Sequence, residues 1–424
     1  MATVAPSYHH LTNRLSASRF DEIAYQKVIA HFSTIRYGCL IMVCEGRTEV
    51  LGQKAAETDL VVTLTVNNKA MFRHILFGGM IAAAEMYMVG AWDVSDLQVL
   101  VRLMCRNIDV LNAMDQKRHP ISKLFAKLLH VMTQNTLKGG AKNISAHYDL
   151  SNDFFETFLD SSKMYSSAVF QSPNDSLEQA AQYKLDLICQ KLQLTPTDHL
   201  IEIGTGWGGM AIHAAKHYGC QVTTTTISEE QYRYATQKVN ALGLSDNITV
   251  LKKDYRELSG QFDKLVSIEM IEAVGYRFYD NYFEKCSSLL KDDGLALIQA
   301  ITISDQRYDD AKKEIDFIQR YIFPGGCLPS ISVISNALAK YTDMQLIDLH
   351  DISSAYAKTL AEWRVRFYQN KSSIFALGFD EIFYRMWEYY LCYCEGGFRE
   401  HVIQTSQLLM RKPQAYQATS LIKR

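Results

Sequence analysis

The chain has 424 residues, 48% of them hydrophobic, and a formal net charge of −2. This length allows two or three domains with full cores, and a charge near zero gives no electrostatic reason to expect nucleic acid as a partner. The nine cysteines follow no repeated metal-ligand spacing, so we expect no metal site and reduced thiols, as in a cytoplasmic protein.

A smaller α+β domain is predicted over residues 1–135. The runs 38–50 and 60–66 have the composition and alternation of β-strands, and 71–104 has helical spacing punctuated by glycines. Glycines in the stretch 134–142 then indicate a linker. We therefore assign 136–175 to a linker and a lid.

No segment predicts a membrane-spanning helix. The best candidate, Met80–Trp92, is too short and contains Glu85. The first thirty residues are charged and lack the apolar segment of a secretory signal. The protein is expected not to be integral to a membrane, although it could bind to a membrane surface.

Residues 176–424 alternate between strand-type and helix-type runs, which predicts a parallel sheet joined by crossover helices. Ser176–Leu192 is helical, and Ser228 is a good N-cap for the helix 228–242. The strand-type runs are 200–203, 221–227, 247–251, 262–270, 294–303 and 344–348. The run 402–410 is predicted to close the sheet as an antiparallel edge strand.

An aromatic insert is predicted near residues 304–400. The stretch 321–330 contains two prolines and two glycines, which favours an irregular, lid-like path. Helical runs at 359–370 and 379–394 carry many Trp, Tyr and Phe residues. Aromatic residues at helical spacing are more often core than a substrate channel.

The stretch 199–209, HLIEIGTGWGG, predicts a ligand cradle. An apolar strand is followed by Gly204, Gly206, Gly208 and Gly209, and a helical pattern begins at Met210. Glycines at this density allow the backbone to approach a ligand closely at a helix N-terminus. A tight turn in any α/β domain is the simpler interpretation of the pattern taken alone.

The strand ends favour S-adenosylmethionine over NAD or ATP. The second strand ends in threonines instead of the acid that holds an NAD ribose, and the glycine loop has no phosphate-binding lysine. Asp254 and Tyr255 follow the third strand and suit an adenine. Glu269 and Glu272 follow the fourth strand and place carboxylates at the crevice.

The chain resembles the cyclopropane-fatty-acyl-phospholipid synthase family, which includes the mycolic acid cyclopropane synthases, and is more similar to its plant-like branch. The N-terminal region shows a looser resemblance around residues 78–97. The motifs recur in order: HYDLSNDFF (147–155), MYSSAVF (164–170), EIGTGWGG (202–209), TISEEQ (226–231), KDYREL (253–258), SIEMIEAVG (267–275), YIFPGGCLPS (321–330) and WEYYLCYCEGGFRE (387–400).

The resemblance implies a class I S-adenosylmethionine-dependent methyltransferase, Rossmann-like, with a mostly parallel seven-stranded sheet over 176–424. It implies transfer of a methylene group to the cis double bond of an unsaturated phospholipid acyl chain through a carbocation, by a cytoplasmic protein peripheral to the inner face of the membrane. The N-terminal domain would serve membrane docking or homodimer formation, and the aromatic insert near 304–400 would bind the lipid. The implied cofactor-binding residues are Tyr165, Ser166, Glu202, Gly204, Thr205, Gly206, Gly208, Gly209, Thr226, Ile227, Ser228, Gln231, Asp254 and Tyr255.

The resemblance also implies a catalytic set and a bicarbonate ion as the base. Glu272 and Ile301 match the family, whereas Ser167, Gln299 and Arg364 stand where many members have cysteine, histidine and tyrosine. An arginine can hold an anion well. If deprotonation failed, the product would carry a methyl or methylene branch instead of a ring.

Cys394 matches a cysteine sometimes proposed as a nucleophile, and His147 lies in the lid. Since an alkene can attack the sulfonium methyl directly, a structural role for Cys394 and a positioning role for His147 are favoured. A fatty-acyl methyltransferase giving a branched chain and a non-catalytic lipid-binding protein remain the alternatives.

Overall fold

The computed structural model describes residues 11–12, 15–16, 18–53, 60–111 and 150–416. The predicted linker at 134–142 and the start of the lid, including His147, lie outside the described residues. Within the described ranges, no helix is both long enough and apolar enough to cross a membrane.

The helices and strands follow the order expected for an α+β region before an α/β region. The helices are α1 (Phe20–Phe32), α2 (Ala70–Met88), α3 (Leu97–Arg106), α4 (Asn152–Glu156), α5 (Leu177–Lys191), α6 (Gly209–Tyr218), α7 (Glu229–Ala241), α8 (Tyr279–Ser288), α9 (Asp305–Ala311), α10 (Ile331–Tyr341), α11 (Ser353–Gln369), α12 (Lys371–Ala376) and α13 (Glu381–Arg399). The strands are β1 (Cys39–Cys44), β2 (Arg47–Gly52), β3 (Val61–Val66), β4 (Trp92–Val94), β5 (His199–Ile203), β6 (Gln221–Thr226), β7 (Ile248–Lys252), β8 (Phe262–Ile268), β9 (Leu290–Ile303), β10 (Gln345–Asp351) and β11 (Ile403–Arg411).

The chain divides into two compact units. The first comprises Met1–Met132, Glu314–Ile322 and Trp363–Val402, and the second comprises the rest. The segments 314–322 and 363–402, which the sequence assigned to the catalytic domain, therefore cluster with the N-terminal residues. The domain boundaries and the role of the N-terminal domain stay predictions.

The first unit contains a four-stranded sheet of order β2-β1-β3-β4. The predicted helical run 71–104 is interrupted, because β4 pairs antiparallel with β3 between α2 and α3. Most aromatic residues of α13 are buried, with Trp387 at 1% and Tyr390 at 4% exposure. This burial is what a core role for the aromatic run requires, and that role stays a prediction.

The second unit contains a seven-stranded sheet of order β10-β11-β9-β8-β5-β6-β7. The strands from β5 to β9 pair in parallel, as the alternation predicted. The prediction for the last strand was half right. β11 is antiparallel, but it lies between β9 and β10 and is hydrogen-bonded on both sides. β10 is therefore the edge strand at this end of the sheet.

Both faces of this sheet are covered by helices. Side chains of α5, α6 and α7 pack on one face with Leu200, and those of α8 and α10 pack on the other face with Ile201 and Ile203. The alternation along β5 thus faces two cores, which explains why the adjacent residues Leu200 and Ile201 are both apolar. The carboxyl ends of β5 to β8 consequently meet along one edge, where a ligand belongs in a sheet of this type.

Candidate active site

A cavity opens at the carboxyl ends of β5, β6, β7 and β8, all within the second unit. It is lined by Lys163, Met164, Tyr165, Ser166, Glu202, Ile203, Gly204, Thr205, Gly206, Trp207, Thr225, Thr226, Ile227, Gln231, Lys253, Asp254, Tyr255, Arg256, Ile268, Glu269, Met270, Ala273 and Val274. Most of the predicted cofactor residues are among them. Gly208, Gly209 and Ser228 do not line the cavity.

The glycine loop after β5 presents bare backbone to this cavity. Gly204 and Gly206 have φ values of 104° and 52°, in the left-handed region that glycine adopts without strain. A Cβ added at Gly206 would meet no atom within 4 Å. The position therefore leaves room for a ligand against the main chain.

Gly208 and Gly209 have a packing function in the loop. Gly208 is the N-cap of α6 with φ of 86°, and a Cβ at Gly209 would collide with the sulfur of Met164 in the lid. The lid is held nearby by a second contact, since the indole nitrogen of Trp207 donates to Oδ1 of Asn152 at 2.6 Å.

Buried polar groups support the loop from beneath. The Thr224 hydroxyl donates to Oε2 of Glu202 at 2.6 Å and lies 2.7 Å from the Thr205 hydroxyl. Burial raises the pKa of Glu202 to about 8. Glu202 is thus held by a threonine of the neighbouring strand, and no backbone donor of the loop is needed to hold it.

The residues after β6 form a network of their own at the start of α7. The Thr226 hydroxyl donates to Oε1 of Gln231 at 2.8 Å and accepts from the backbone of Ser228, while the Ser228 hydroxyl caps the Gln231 N–H. Ser228 therefore supports Thr226 and Gln231 from behind, and Ile227 lies with them in the wall.

Asp254 and Tyr255 line the far end of the cavity. The Arg256 side chain donates to both oxygens of Asp254, at 2.8 and 2.7 Å. Burial opposes ionisation of Asp254, but these bonds outweigh it and lower the pKa of the carboxyl. The carboxylate stays ionised and has lone pairs left for another donor, such as an adenine amino group.

Glu269, directly after β8, is held by three donors from distant segments of the chain. It accepts from the Ser167 N–H at 2.9 Å, from Nε2 of Gln299 at 2.8 Å and from the Tyr356 hydroxyl at 2.7 Å. Its φ of 49° lies in the left-handed region, which is uncommon for a non-glycine residue. Burial raises the pKa of Glu269, and the three bonds oppose that rise.

Glu272 lies one turn further on and is nearly without partners. Its Oε1 accepts from the Ile301 N–H on β9, and its Oε2 is buried with no hydrogen-bond partner in the part of the chain that the structure describes. Burial, and then the charge of Glu269, raise the pKa of Glu272 to about 8. An orphaned buried oxygen beside a second carboxylate marks a place where a proton or a cation can be held.

Of the predicted catalytic set, Glu272 contacts Ile301, and Gln299 lies two positions earlier on β9 and contacts Glu269; their catalytic roles stay predictions. Arg364 and Cys394 belong to the first unit. There Arg364 donates through Nε to Oε2 of the buried Glu395 at 2.8 Å, so the anion that it holds is a carboxylate of the chain. Burial raises the pKa of the Cys394 thiol, which disfavours a nucleophilic thiolate.

Three further residues of the site were absent from the predicted catalytic and cofactor-binding sets. Glu269 was visible as an acid at a strand end, but its three donors were not. Lys184 is fully buried on α5, and its signal was a lysine within the apolar spacing of Leu177, Ala181, Leu185 and Ile188. Tyr356 lies 87 positions after Glu269, and no local pattern could have linked the two.

The cavity fits S-adenosylmethionine. Open backbone at Gly206 suits close approach of a ligand at a strand–helix junction, Tyr255 offers an aromatic face, and the carboxyl group of Glu269 in the cavity wall suits a sulfonium cation. With the mostly parallel seven-stranded sheet, these features define a class I S-adenosylmethionine-dependent methyltransferase.

Comparison with known proteins identifies the family. The family model described as mycolic acid cyclopropane synthetase matches residues 135–408, and the chain belongs to this family. Tuberculostearic acid methyltransferase UfaA1 of Mycobacterium tuberculosis is 36% identical over 345 residues, which cover 80% of this chain and 80% of that protein. Cyclopropane-fatty-acyl-phospholipid synthase of Escherichia coli is 35% identical over 354 residues, 82% of this chain and 87% of that protein.

Comparison with solved structures identifies the same family. Mycolic acid cyclopropane synthase CmaA1, complexed with SAH and CTAB, superimposes with a TM-score of 0.59 at 31% identity, covering 64% of this chain and 98% of that chain. The protein is therefore an S-adenosylmethionine-dependent enzyme, and the non-catalytic alternative does not hold.

Proposed function

We propose that the enzyme transfers a methylene group from S-adenosylmethionine to the cis double bond of an unsaturated phospholipid acyl chain and forms a cyclopropane ring. The observation that carries this proposal is the carboxylate pair, Glu269 and Glu272, in and beside the cavity wall next to the glycine loop. The 35% identity to the E. coli cyclopropane-fatty-acyl-phospholipid synthase supports it.

The chemistry requires a dry site with a base. The cofactor supplies an electrophilic methyl group on a sulfonium. When the alkene attacks that carbon, the carbon–sulfur bond breaks, a carbon–carbon bond forms, and the neighbouring acyl carbon is left as a cation. Loss of a proton from the transferred methyl then closes the ring, so a positioned base is needed.

Glu269 is our candidate for that base. It lines the cavity, and three donors fix its orientation. Ser167 and Gln299, which stand where the resembling enzymes have residues near their bicarbonate, are both hydrogen-bonded to Glu269 here. We infer that a carboxylate of the chain takes the place of bicarbonate, and a bound bicarbonate remains the alternative.

Glu272 would stabilise the cation. Its unpartnered Oε2 is buried, and its carboxyl group is fixed to the Ile301 backbone. Ionisation of a carboxyl with a pKa of about 8 is favoured when positive charge develops beside it. The catalytic and cofactor-binding roles of the other predicted site residues are also proposals.

A branched product is the second candidate. If a hydride shift first moves the cation onto the carbon that bears the new methyl group, the same base can remove a proton from that methyl group, which gives a methylene branch instead of a ring. The replacement of cysteine and histidine by Ser167 and Gln299 favours this candidate, as does the 36% identity to a tuberculostearic acid methyltransferase.

Product analysis tests both candidates. Purified protein, vesicles of unsaturated phospholipid and S-adenosylmethionine should give acyl chains that are heavier by one CH₂ unit in mass spectrometry, and vesicles of saturated phospholipid should not. Because a ring and a methylene branch are isomers, NMR must distinguish them. Unchanged acyl chains would refute both. Co-sedimentation with the vesicles tests the proposed membrane-surface location, and ultracentrifugation tests the homodimer.

A further inference from the structure

A fully buried lysine stands behind the cavity wall and has no part in the transfer proposed above. Lys184 on α5 is 0% exposed, and its Nζ donates to the Ser166 hydroxyl at 2.9 Å. Ser166 is also buried, and it lines the cavity. Within the described ranges this is the hydrogen bond that the ammonium makes, although it carries three N–H donors.

Among the residues that the structure describes, no contact ion pair neutralises the positive charge of Lys184. Burial lowers the pKa of Lys184 to about 8, while the charges of Glu269, Asp160 and Glu202 oppose that shift. Each of these acids is hydrogen-bonded to other groups. Glu269 is held by its three donors, Asp160 accepts from the Met164 N–H at 2.9 Å, and Glu202 is held by Thr224. The field of the ammonium therefore extends into the cavity.

The bond from Lys184 also sets the direction of the Ser166 hydroxyl. Because the Ser166 oxygen accepts from Nζ, the hydroxyl hydrogen must point elsewhere. The bond from Lys184 also makes this hydroxyl a better donor. Ser166 lies in the cavity wall, so an acceptor in the cavity is the natural partner. The cofactor carries one carboxylate, on its amino-acid end, away from the adenine that suits Tyr255.

We propose that Lys184 is a positioning residue for the cofactor carboxylate: it fixes the Ser166 hydroxyl as a donor into the cavity and supplies positive charge behind it. The proposal rests on the enzyme class and not on the lipid product. Binding can therefore test it in the absence of lipid.

The experiment compares two ligands that differ in the amino-acid group. S-adenosylhomocysteine carries the carboxylate, and 5′-methylthioadenosine keeps the adenosine and the thioether but lacks the carboxylate. In calorimetric titrations at pH 7, Lys184→Met should weaken S-adenosylhomocysteine binding by about tenfold or more, the size expected for a charge-assisted hydrogen bond. Binding of 5′-methylthioadenosine should change less than about twofold.

Lys191→Met is the matched control. Lys191 is also a buried lysine of α5, but it pairs with Asp348 at 3.2 Å, and its loss should leave both affinities unchanged. An equal loss for both ligands in folded Lys184→Met, or no loss for either, would overturn the proposal.

A second variant keeps the test open if Lys184→Met does not fold. Ser166→Ala removes only the hydroxyl and should show the same selective loss for S-adenosylhomocysteine. The double variant should bind no more weakly than Lys184→Met alone, because both changes interrupt one path. Additive losses in the double variant would show that Lys184 does not act through Ser166.

Discussion

Nε2 of Gln299 donates a hydrogen bond to Oε1 of Glu269 at 2.8 Å, and the Gln299 amide oxygen accepts from Gln407 at 3.1 Å. Gln299 and Gln407 are fully buried neighbours on β9 and β11. Their chain of amides fixes which end of Gln299 faces Glu269. A donor at this position favours the ionised form of Glu269 and opposes the rise in its pKa that burial causes, so the interior of the sheet acts on the cavity wall.

If Glu269 is the base, its charge should matter more than its shape. We expect Glu269→Gln to lower kcat by about 100-fold or more, the usual contribution of a general base, while S-adenosylhomocysteine binding measured by calorimetry changes little. Glu284→Gln, at an exposed position of α8, is the control. Full activity in Glu269→Gln would remove this residue from the mechanism, and dependence of the wild-type rate on added bicarbonate would return the role to that ion.

The glycine loop offers a test of its contact with the cofactor. Gly206 and Gly219 both have positive φ, 52° and 71°, and neither has a close neighbour at the Cβ position. Alanine at either position should lower Tm by a similar amount, because an alanine is strained at a positive φ in both places. Only Gly206→Ala should weaken S-adenosylhomocysteine binding, by about tenfold, since only Gly206 lines the cavity. Equal binding by both variants would show that the ligand does not approach this backbone.

Local signals in the sequence were sufficient to predict where several helices begin. Ser176 forms a capping box with Gln179, and Ser228 caps α7, as their positions before helical runs predicted. The interior place of β11 could not be predicted in this way, because strand order depends on pairing between distant segments.

The same distinction applies to the site, where residues in local motifs could be predicted and contacts between distant segments could not. The glycine loop and Asp254 follow their strands directly and could be found from spacing. The partners of Glu269 come from 102, 30 and 87 positions away. Only the folded sheet brings these donors together, so the sequence could show the acid but not its environment.

Glu202 should make stability depend on pH. Burial raises its pKa from 4.5 to about 8, so the folded protein keeps a proton that the unfolded chain releases. Its contribution to the free energy of unfolding is fully present below about pH 4.5 and is lost as the pH rises through about 8. We expect Glu202→Gln to match the wild type near pH 5 and to exceed its Tm by about 5 °C near pH 9. A difference in Tm that is independent of pH would contradict this, and the exposed Glu284→Gln variant should show none.

The bond between Arg364 and Glu395 allows a test of whether Arg364, which was predicted to bind an anion, has a structural role. The Glu395 side chain is 0% exposed and is held by Arg364 and Arg399, each through Nε at 2.8 Å. Removing one partner of a buried carboxylate is costly, whereas replacing the whole pair with apolar residues is often neutral. We expect Arg364→Met to lower Tm by about 5 °C or more, more than Arg399→Met, whose side chain is 42% exposed. Adding Glu395→Leu to Arg364→Met should recover most of the loss in thermal unfolding. If Arg364→Met instead keeps its Tm and loses turnover, Arg364 acts in the reaction and its bond to Glu395 is incidental.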